Sequence, residues 1–248
     1  RGQNEKQNLA MVMVIDHSGS MSVSADGNGA TNLDLAIAAA DAAVDQLSAK
    51  DEVGVVTFDD HYNWQVPLQK VTDKDAIHEK IETVNEGGGT TIKPAVRTAL
   101  DKIKQSSAQL KHIVLLTDGQ GETRNFTDIV EECQKAGVTL STVAVGEDSD
   151  GLLLENLAGQ CGGRYYYSDI STDIPKIFAQ EVFLSGDTYL QNGDFPLAVN
   201  GGNAITKGLF ENGWPDLLGY VSASPKNGTK VLIAAGEKED PIPSVMQY

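Results

Sequence analysis

The chain is poor in the residues that most often carry catalysis, soft-metal binding or cross-links. Its 248 residues contain two cysteines and four histidines, and aromatics make up only 6%. Cys133 and Cys161 have no second Cys or His near them in sequence, so neither fits a zinc-ligand spacing. As a pair they could form a disulfide outside the cytosol or stay as two part-buried thiols, and the spacing does not choose. Positive charge is also scarce: 19 Lys and Arg face 35 Asp and Glu, a formal net charge of −16. A surface this acidic repels phosphate backbones and anionic headgroups, which argues against nucleic acid and direct lipid binding. No apolar run approaches the roughly 18–20 residues that span a bilayer. The first residues, RGQNEKQN, lack the apolar stretch of a signal peptide. Arg1 at the start and a strand-like PIPSVMQY at the end give the expectation of a soluble piece of a longer protein.

What the chain does have is alternation. Leu9 to Ile15 is an unbroken apolar run closed by Asp16, as in a strand buried on both faces of a parallel sheet. Leu33, Ile37, Ala40, Val44 and Leu47 then recur at helical spacing, with Thr31 or Asn32 as the N-cap. Val53–Phe58 is a second buried strand. YNWQVPLQ follows with rough alternation and a proline, which suits an antiparallel edge. Helices are expected over Lys74–Val84, opened by Thr72/Asp73, and over Ile92–Lys104, with Pro94 in the first turn. Strand and helix then alternate three more times. The strands are HIVLLT, VTLSTVAVG and RYYYS. The helices are Phe126–Lys135, closed by Gly137, Leu152–Ala158, closed by Gly159, and Asp173–Phe183. This order predicts an α/β fold: a doubly wound, mostly parallel six-stranded sheet with one antiparallel edge strand.

From about Ser185 the sequence turns Gly- and Asn-rich, with VLIAAG and IPSVMQY as strands. The predicted domains are therefore residues 7–184 and a small β-rich extension over 185–248.

Chemistry concentrates at two strand ends. DHSGS sets Asp16, Ser18 and Ser20 in a tight loop after the first strand, and TDG sets Asp118 after the fourth. In a doubly wound sheet these strands are central neighbours whose helices leave to opposite faces, and the crevice between them is where such folds bind ligands. Thr90, on the run Gly87-Gly88-Gly89, can reach the same crevice. Two carboxylates and three hydroxyls make an all-oxygen set, suited to Mg²⁺ or Mn²⁺, with Ca²⁺ a third candidate, and unsuited to zinc. Each element alone is a common turn; together and in this order they point to metal ligation.

These same residues carry a family resemblance. DHSGS, then GGGTT before a helix, then LLTDG on a strand resembles the metal-ion-dependent adhesion site of von Willebrand factor A domains over about residues 7–184. The resemblance implies a Rossmann-like fold in which Ser18, Ser20 and often Thr90 ligate the ion directly. Asp16 and Asp118 would act through water or hydrogen bonds. It further implies a protein-binding module, not an enzyme, whose partner supplies a Glu or Asp carboxylate to the ion. By analogy it also implies a membrane-tethered, extracytoplasmic position. More faintly, Ala204–Leu209, Leu218–Val221 and Ser224–Lys226 resemble part of a glutamine amidotransferase-like module. That stretch holds no Cys or His, so it lacks the pair such enzymes use.

Two other readings compete. One is a structural scaffold with a vestigial site. The other is a metal-dependent hydrolase. For that, Ser18 stands where phosphohydrolases need a second Asp, and His17 is sequence-adjacent to Ser18 and so points away from it. His17 is expected to face solvent beside the metal site, and no Gly-Lys-Ser/Thr follows Gly87–Thr90 to make a phosphate loop. Asp26–Gly29 lacks calcium-loop spacing. Asp59-Asp60 is expected as a hairpin turn, Tyr165–Tyr167 as half-buried edge packing, Trp64 as edge-strand packing and Trp214 as an anchor of the tail.

Overall fold

The structure is a computed structural model. It describes residues 7–23, 29–119, 125–146, 149–168, 174–186, 190–195, 197–199, 217–221, 230–235 and 242–247. The chain divides into two compact units, Arg1–Asp187 and Thr188–Tyr248.

In the first unit, strands β1 (Leu9–Asp16), β2 (Glu52–Phe58), β3 (Tyr62–Lys70), β4 (Leu110–Thr117), β5 (Val138–Val145) and β6 (Gly162–Ser168) form one sheet. Its order is β3-β2-β1-β4-β5-β6. All neighbours pair in parallel except β2 and β3. The predicted doubly wound sheet with one antiparallel edge is what forms. All eight β1 residues are buried. Leu9, Met11, Met13 and Ile15 enter one hydrophobic cluster, while Ala10, Val12 and Val14 enter the other. That period-two division explains why the strand reads as a continuous apolar run: both of its faces are covered.

Helices α1 (Asn32–Gln46), α2 (Lys74–Ile81) and α6 (Ile174–Gly186) supply the first cluster, and α3 (Ile92–Ile103), α4 (Thr127–Ala136) and α5 (Gly151–Gln160) the second. Thr31 is the N-cap of α1, in a capping box with Asp34: its side chain accepts from the Asp34 N–H, and Asp34 accepts from the Thr31 N–H. Asp73 caps α2 by accepting from the Ala76 N–H. Gly137 ends α4 in the left-handed region at φ 64°, as predicted. Gly159 does not end α5. The helix runs on to Gln160, and the left-handed turn falls at Gly162, φ 69°, where the chain enters β6.

One buried charge anchors α6. Glu181 has no exposed surface. It accepts from Arg164 Nε at 2.6 Å and the Tyr166 hydroxyl at 2.5 Å, and bonds His112 Nε2 at 2.8 Å. A carboxylate withdrawn from water needs such partners. Burial pushes its pKa up, but the bonds to His112 and Arg164 outweigh burial and hold it well below the usual glutamate range. The aromatic edge is less buried than predicted: Tyr165 and Tyr166 are half-buried, but Tyr167, on the last strand of the sheet among the described residues, is 48% exposed. Trp64 packs half-buried on β3 and donates its Nε1–H to Thr98 Oγ1.

The second unit contains β7 (Leu190–Phe195) paired antiparallel with β9 (Leu217–Val221). It also contains a small sheet of β8 (Leu197–Val199), β10 (Lys230–Ala235) and β11 (Ile242–Gln247). The predicted strands VLIAAG and IPSVMQY correspond to β10 and β11. Asp26–Asn28, Asp173, Trp214, Ala204–Leu209 and Ser224–Lys226 lie outside the described residues.

Candidate metal centre

β1 and β4 are adjacent and parallel, and the helices that follow them cover opposite faces. The crevice beyond their C-terminal ends is the switch point of the sheet. Asp16 closes β1 there with no exposed surface, and Ser18 is 2% exposed. A 3-10 turn over Gly19–Ser22 follows and buries Met21, which pins the loop. No local pattern announces this turn.

Four of the five predicted residues form one hydrogen-bonded chain. Asp16 Oδ1 accepts from the Ser18 N–H at 2.8 Å, and the Ser18 and Ser20 hydroxyls are 3.1 Å apart. Ser20 Oγ then donates to Asp118 Oδ1 at 2.8 Å. Asp16 Oδ2 takes the Thr117 hydroxyl at 2.6 Å, and Thr117 Oγ1 accepts from the Gly119 N–H at 3.1 Å. Thr117 therefore couples the two loops. Its position before Asp118 in LLTDG was the only available signal of that role.

The fifth residue, Thr90, arrives on the glycine run. A Cβ placed on Gly119 would stand 2.9 Å from Thr90 Cγ2 and 3.2 Å from its hydroxyl, so Thr90 lies directly against Gly119, the neighbour of Asp118. The run is tied down on both sides. Gly87 donates its N–H to His17 O, and Gly19 donates to Gly88 O. The Gly88 and Gly89 amides donate to Asp59 and Asp60, each at 3.0 Å. A side chain on Gly87 would collide with Asp59 Oδ2 at 2.5 Å and His17 Cε1 at 2.9 Å. The Asp59-Asp60 turn was predicted only as the β2–β3 hairpin. It also clamps the segment that carries Thr90, a long-range role no local pattern announces. His17 is half-buried at the rim, with Nδ1 2.7 Å from Asn85 O.

Burial raises the pKa of Asp16, against the lowering effect of its bonds to Ser18 and Thr117. Asp118 is pushed up to about 6, first by burial and then by the nearby Asp16 charge, while the Ser20 and Asn32 bonds oppose this. Two desolvated carboxylates sharing a crevice favour a cation between them. Among the described residues no three His, Cys, Asp or Glu side chains cluster to hold a metal. Any ion here would depend on hydroxyls, and the oxygen-only donor set fits a hard divalent cation.

Residues 10–180 match the model of the von Willebrand factor type A domain. The chain belongs to that family. It is similar to horse calcium-activated chloride channel regulator 1, 31% identical over 186 residues, which is 73% of this chain and 19% of that protein. The von Willebrand factor type A structure from Catenulispora acidiphila superposes with a TM-score of 0.64 at 18% identity, over 97% of this chain and 65% of its own. Mussel byssus proximal thread matrix protein 1, with a zinc-occupied adhesion-site motif, superposes at TM-score 0.58 and 22% identity, over 71% and 46%. At these identities the two structures show the fold. The chain spans well under two thirds of the curated relative's length.

Proposed function

We propose that this von Willebrand factor type A domain is a divalent-cation-dependent protein-binding module. Ser18, Ser20 and Thr90 would hold Mg²⁺ directly, with Mn²⁺ and Ca²⁺ as alternatives, and the partner would contribute a Glu or Asp carboxylate. The observation that carries the reading is the continuous hydrogen-bonded set from Asp16 through Ser18 and Ser20 to Asp118, with Thr90 against Gly119.

The chain's own residues do the positioning. Asp16 spends both oxygens on Ser18 and Thr117, so it orients the loop and supplies charge from behind. Asp118 orients the Ser20 hydroxyl in the same way. Bound there, a divalent cation with few carboxylates touching it supplies Lewis acidity to an incoming carboxylate. The mussel protein's zinc-occupied motif supports a divalent ion in this crevice and adds Zn²⁺ to the metals to be tried.

The hydrolase reading has less behind it. His17, the histidine next to the serine loop, directs Nδ1 to Asn85 O, and Ser18 remains unsuited to act as a general acid. We also read residues 185–248 as part of an amidotransferase-like module without catalytic Cys or His, and the whole as a segment of a membrane-tethered extracytoplasmic protein. Among the described residues no helix is long and apolar enough to cross a membrane.

Calorimetric titration of the full chain with Mg²⁺, Mn²⁺, Ca²⁺ and Zn²⁺, repeated with acetate or a short glutamate peptide, tests the proposal. Saturable metal binding that is tightened by the carboxylate is expected. Absence of metal binding would leave the scaffold reading. Metal-dependent phosphatase turnover lost in Asp118→Asn would instead revive the hydrolase.

A further inference from the structure

The two cysteines sit far apart in sequence and together in space. Cys133 lies in the last full turn of α4, and Cys161 is the residue that caps the end of α5. Both are buried free thiols, at 0% and 4% exposure, in the same hydrophobic cluster. Each thiol is the strongest influence on the other's charge. The flanking residues are joined independently: Gln134 Nε2 donates to Gln160 O at 2.9 Å. The backbone on either side is fixed, since the Cys161 N–H bonds Leu157 O and the Gly137 N–H bonds Cys133 O. The two cysteines are thus carried on two capped helix ends that are tied together beside them.

We propose that Cys133 and Cys161 are a redox pair that closes to an intramolecular disulfide when this chain folds under oxidising conditions. The co-reactant is a low-molecular-weight disulfide such as oxidised glutathione. One cysteine thiolate attacks it and releases a small thiol. The second cysteine thiolate then attacks the mixed disulfide, forms the protein S–S bond and releases a second small thiol. Two protein thiols are oxidised and one small disulfide is reduced to two thiols. Burial shields the pair in the folded chain, so closure belongs to folding, and the closed bond resists reductant afterwards. The cross-link closes a loop of roughly 28 residues and removes freedom from the unfolded chain. It joins the C-terminal ends of α4 and α5, at the opposite end of the sheet from Asp118, so the candidate metal centre is left undisturbed.

The test is to refold the full chain from denaturant in glutathione buffers spanning reducing to oxidising ratios. Exchange is then quenched with acid, free thiols are alkylated and peptides are mapped. A cross-linked Cys133–Cys161 peptide is expected to accumulate with oxidising ratio. Melting temperature should rise with it, on the order of 5–10 °C, in the wild type but not in the Cys133→Ala/Cys161→Ala variant. Alkylation of both cysteines at every ratio would overturn the proposal. So would recovery of glutathione adducts alone, or a cross-link that lowers the melting temperature.

Discussion

Ser20 Oγ donates to Asp118 Oδ1 at 2.8 Å across 98 positions of sequence, joining the loop after β1 to the turn after β4. That bond makes one site out of two strand ends, and its parts can be separated. In Ser20→Ala the Asp118 carboxylate keeps its charge but the crevice loses a hydroxyl. In Asp118→Asn the hydroxyl keeps an acceptor but the charge is lost. Each is expected to weaken Mg²⁺ binding at least tenfold in calorimetry. Neither should move the melting temperature by more than a few degrees, because Ser20 is exposed and the loop remains pinned by Met21. Equal affinity in wild type and both variants would remove this crevice from consideration.

Asp16 behaves differently. Its two oxygens satisfy the Ser18 N–H and the Thr117 hydroxyl with no exposed surface, so Asp16→Ala strips partners from two buried donors. Leaving such groups unpaired costs about 1–3 kcal/mol each. The substitution that looks simplest from sequence is therefore expected to lower stability as well as metal affinity. Asp16→Asn should retain more of the fold. Denaturant titration of both variants, read beside their Mg²⁺ affinities, checks the distinction.

Gly119 offers a sharper probe of Thr90. A methyl group at 119 meets Thr90 Cγ2 at 2.9 Å, closer than carbon atoms approach without displacement. Gly119→Ala is thus expected to push Thr90 out of place and weaken metal binding. Thr90→Ser in the same chain removes the clashing Cγ2 and keeps the hydroxyl, so the double variant should recover much of the affinity. A double variant no better than Gly119→Ala would mean that the Thr90 hydroxyl does not contribute.

Much of this was legible in the sequence because the signals were local and periodic. The all-buried β1 announced a parallel strand covered on both faces. DHSGS and TDG announced the crevice through their places at strand ends, and GGGT through its place before a helix. What stayed hidden is pairing at long range. Nothing in the local pattern says that Asp59 and Asp60 will hold the amides of Gly88 and Gly89, or that Thr117 will hold Asp16. Glu181 likewise reads as one more polar helix residue until β4 and β6 bring His112 and Arg164 to it. Helix ends were similarly unclear, since Gly159 and Gly162 are equally good stop signals and only the path into β6 chooses the second.

His78 links α2 to α1 through Asp41 at 2.5 Å and Asp45 at 3.2 Å. Burial lowers its pKa, but the bonds and charges of the two aspartates outweigh this, and the net shift is upward from 6.5. A raised folded-state pKa contributes stability that is fully present below the unfolded value and is lost as pH rises through the folded value. His78→Gln should therefore cost more at pH 6 than at pH 9. The groups are part-exposed, Asp45 at 63%, so solvent screening holds the difference to about 1 kcal/mol or less. Melting curves of the two proteins at both pH values measure it, and an equal gap at the two would exclude the ion pairs as its source.

Glu181 gives the opposite sign. Its folded pKa is depressed below 4.5 by His112 and Arg164 in spite of burial, so its contribution is present above 4.5 and is lost as pH falls through the folded value. Glu181→Gln keeps the shape of the side chain but leaves the Arg164 guanidinium without its carboxylate. Breaking a buried pair in this way costs about 3–5 kcal/mol. Arg164 is itself 38% exposed, which places the expected cost toward the lower end. At neutral pH the variant should melt several degrees lower, and the gap should narrow steadily as the buffer is taken below pH 4.5. The loss should fall on α6 first, because Glu181 ties that helix to β4 and β6. Amide exchange in Ile174–Gly186 that quickens in Glu181→Gln ahead of the rest of the sheet would identify the network as the anchor of the helix. Uniform quickening across the domain would assign it to global stability instead.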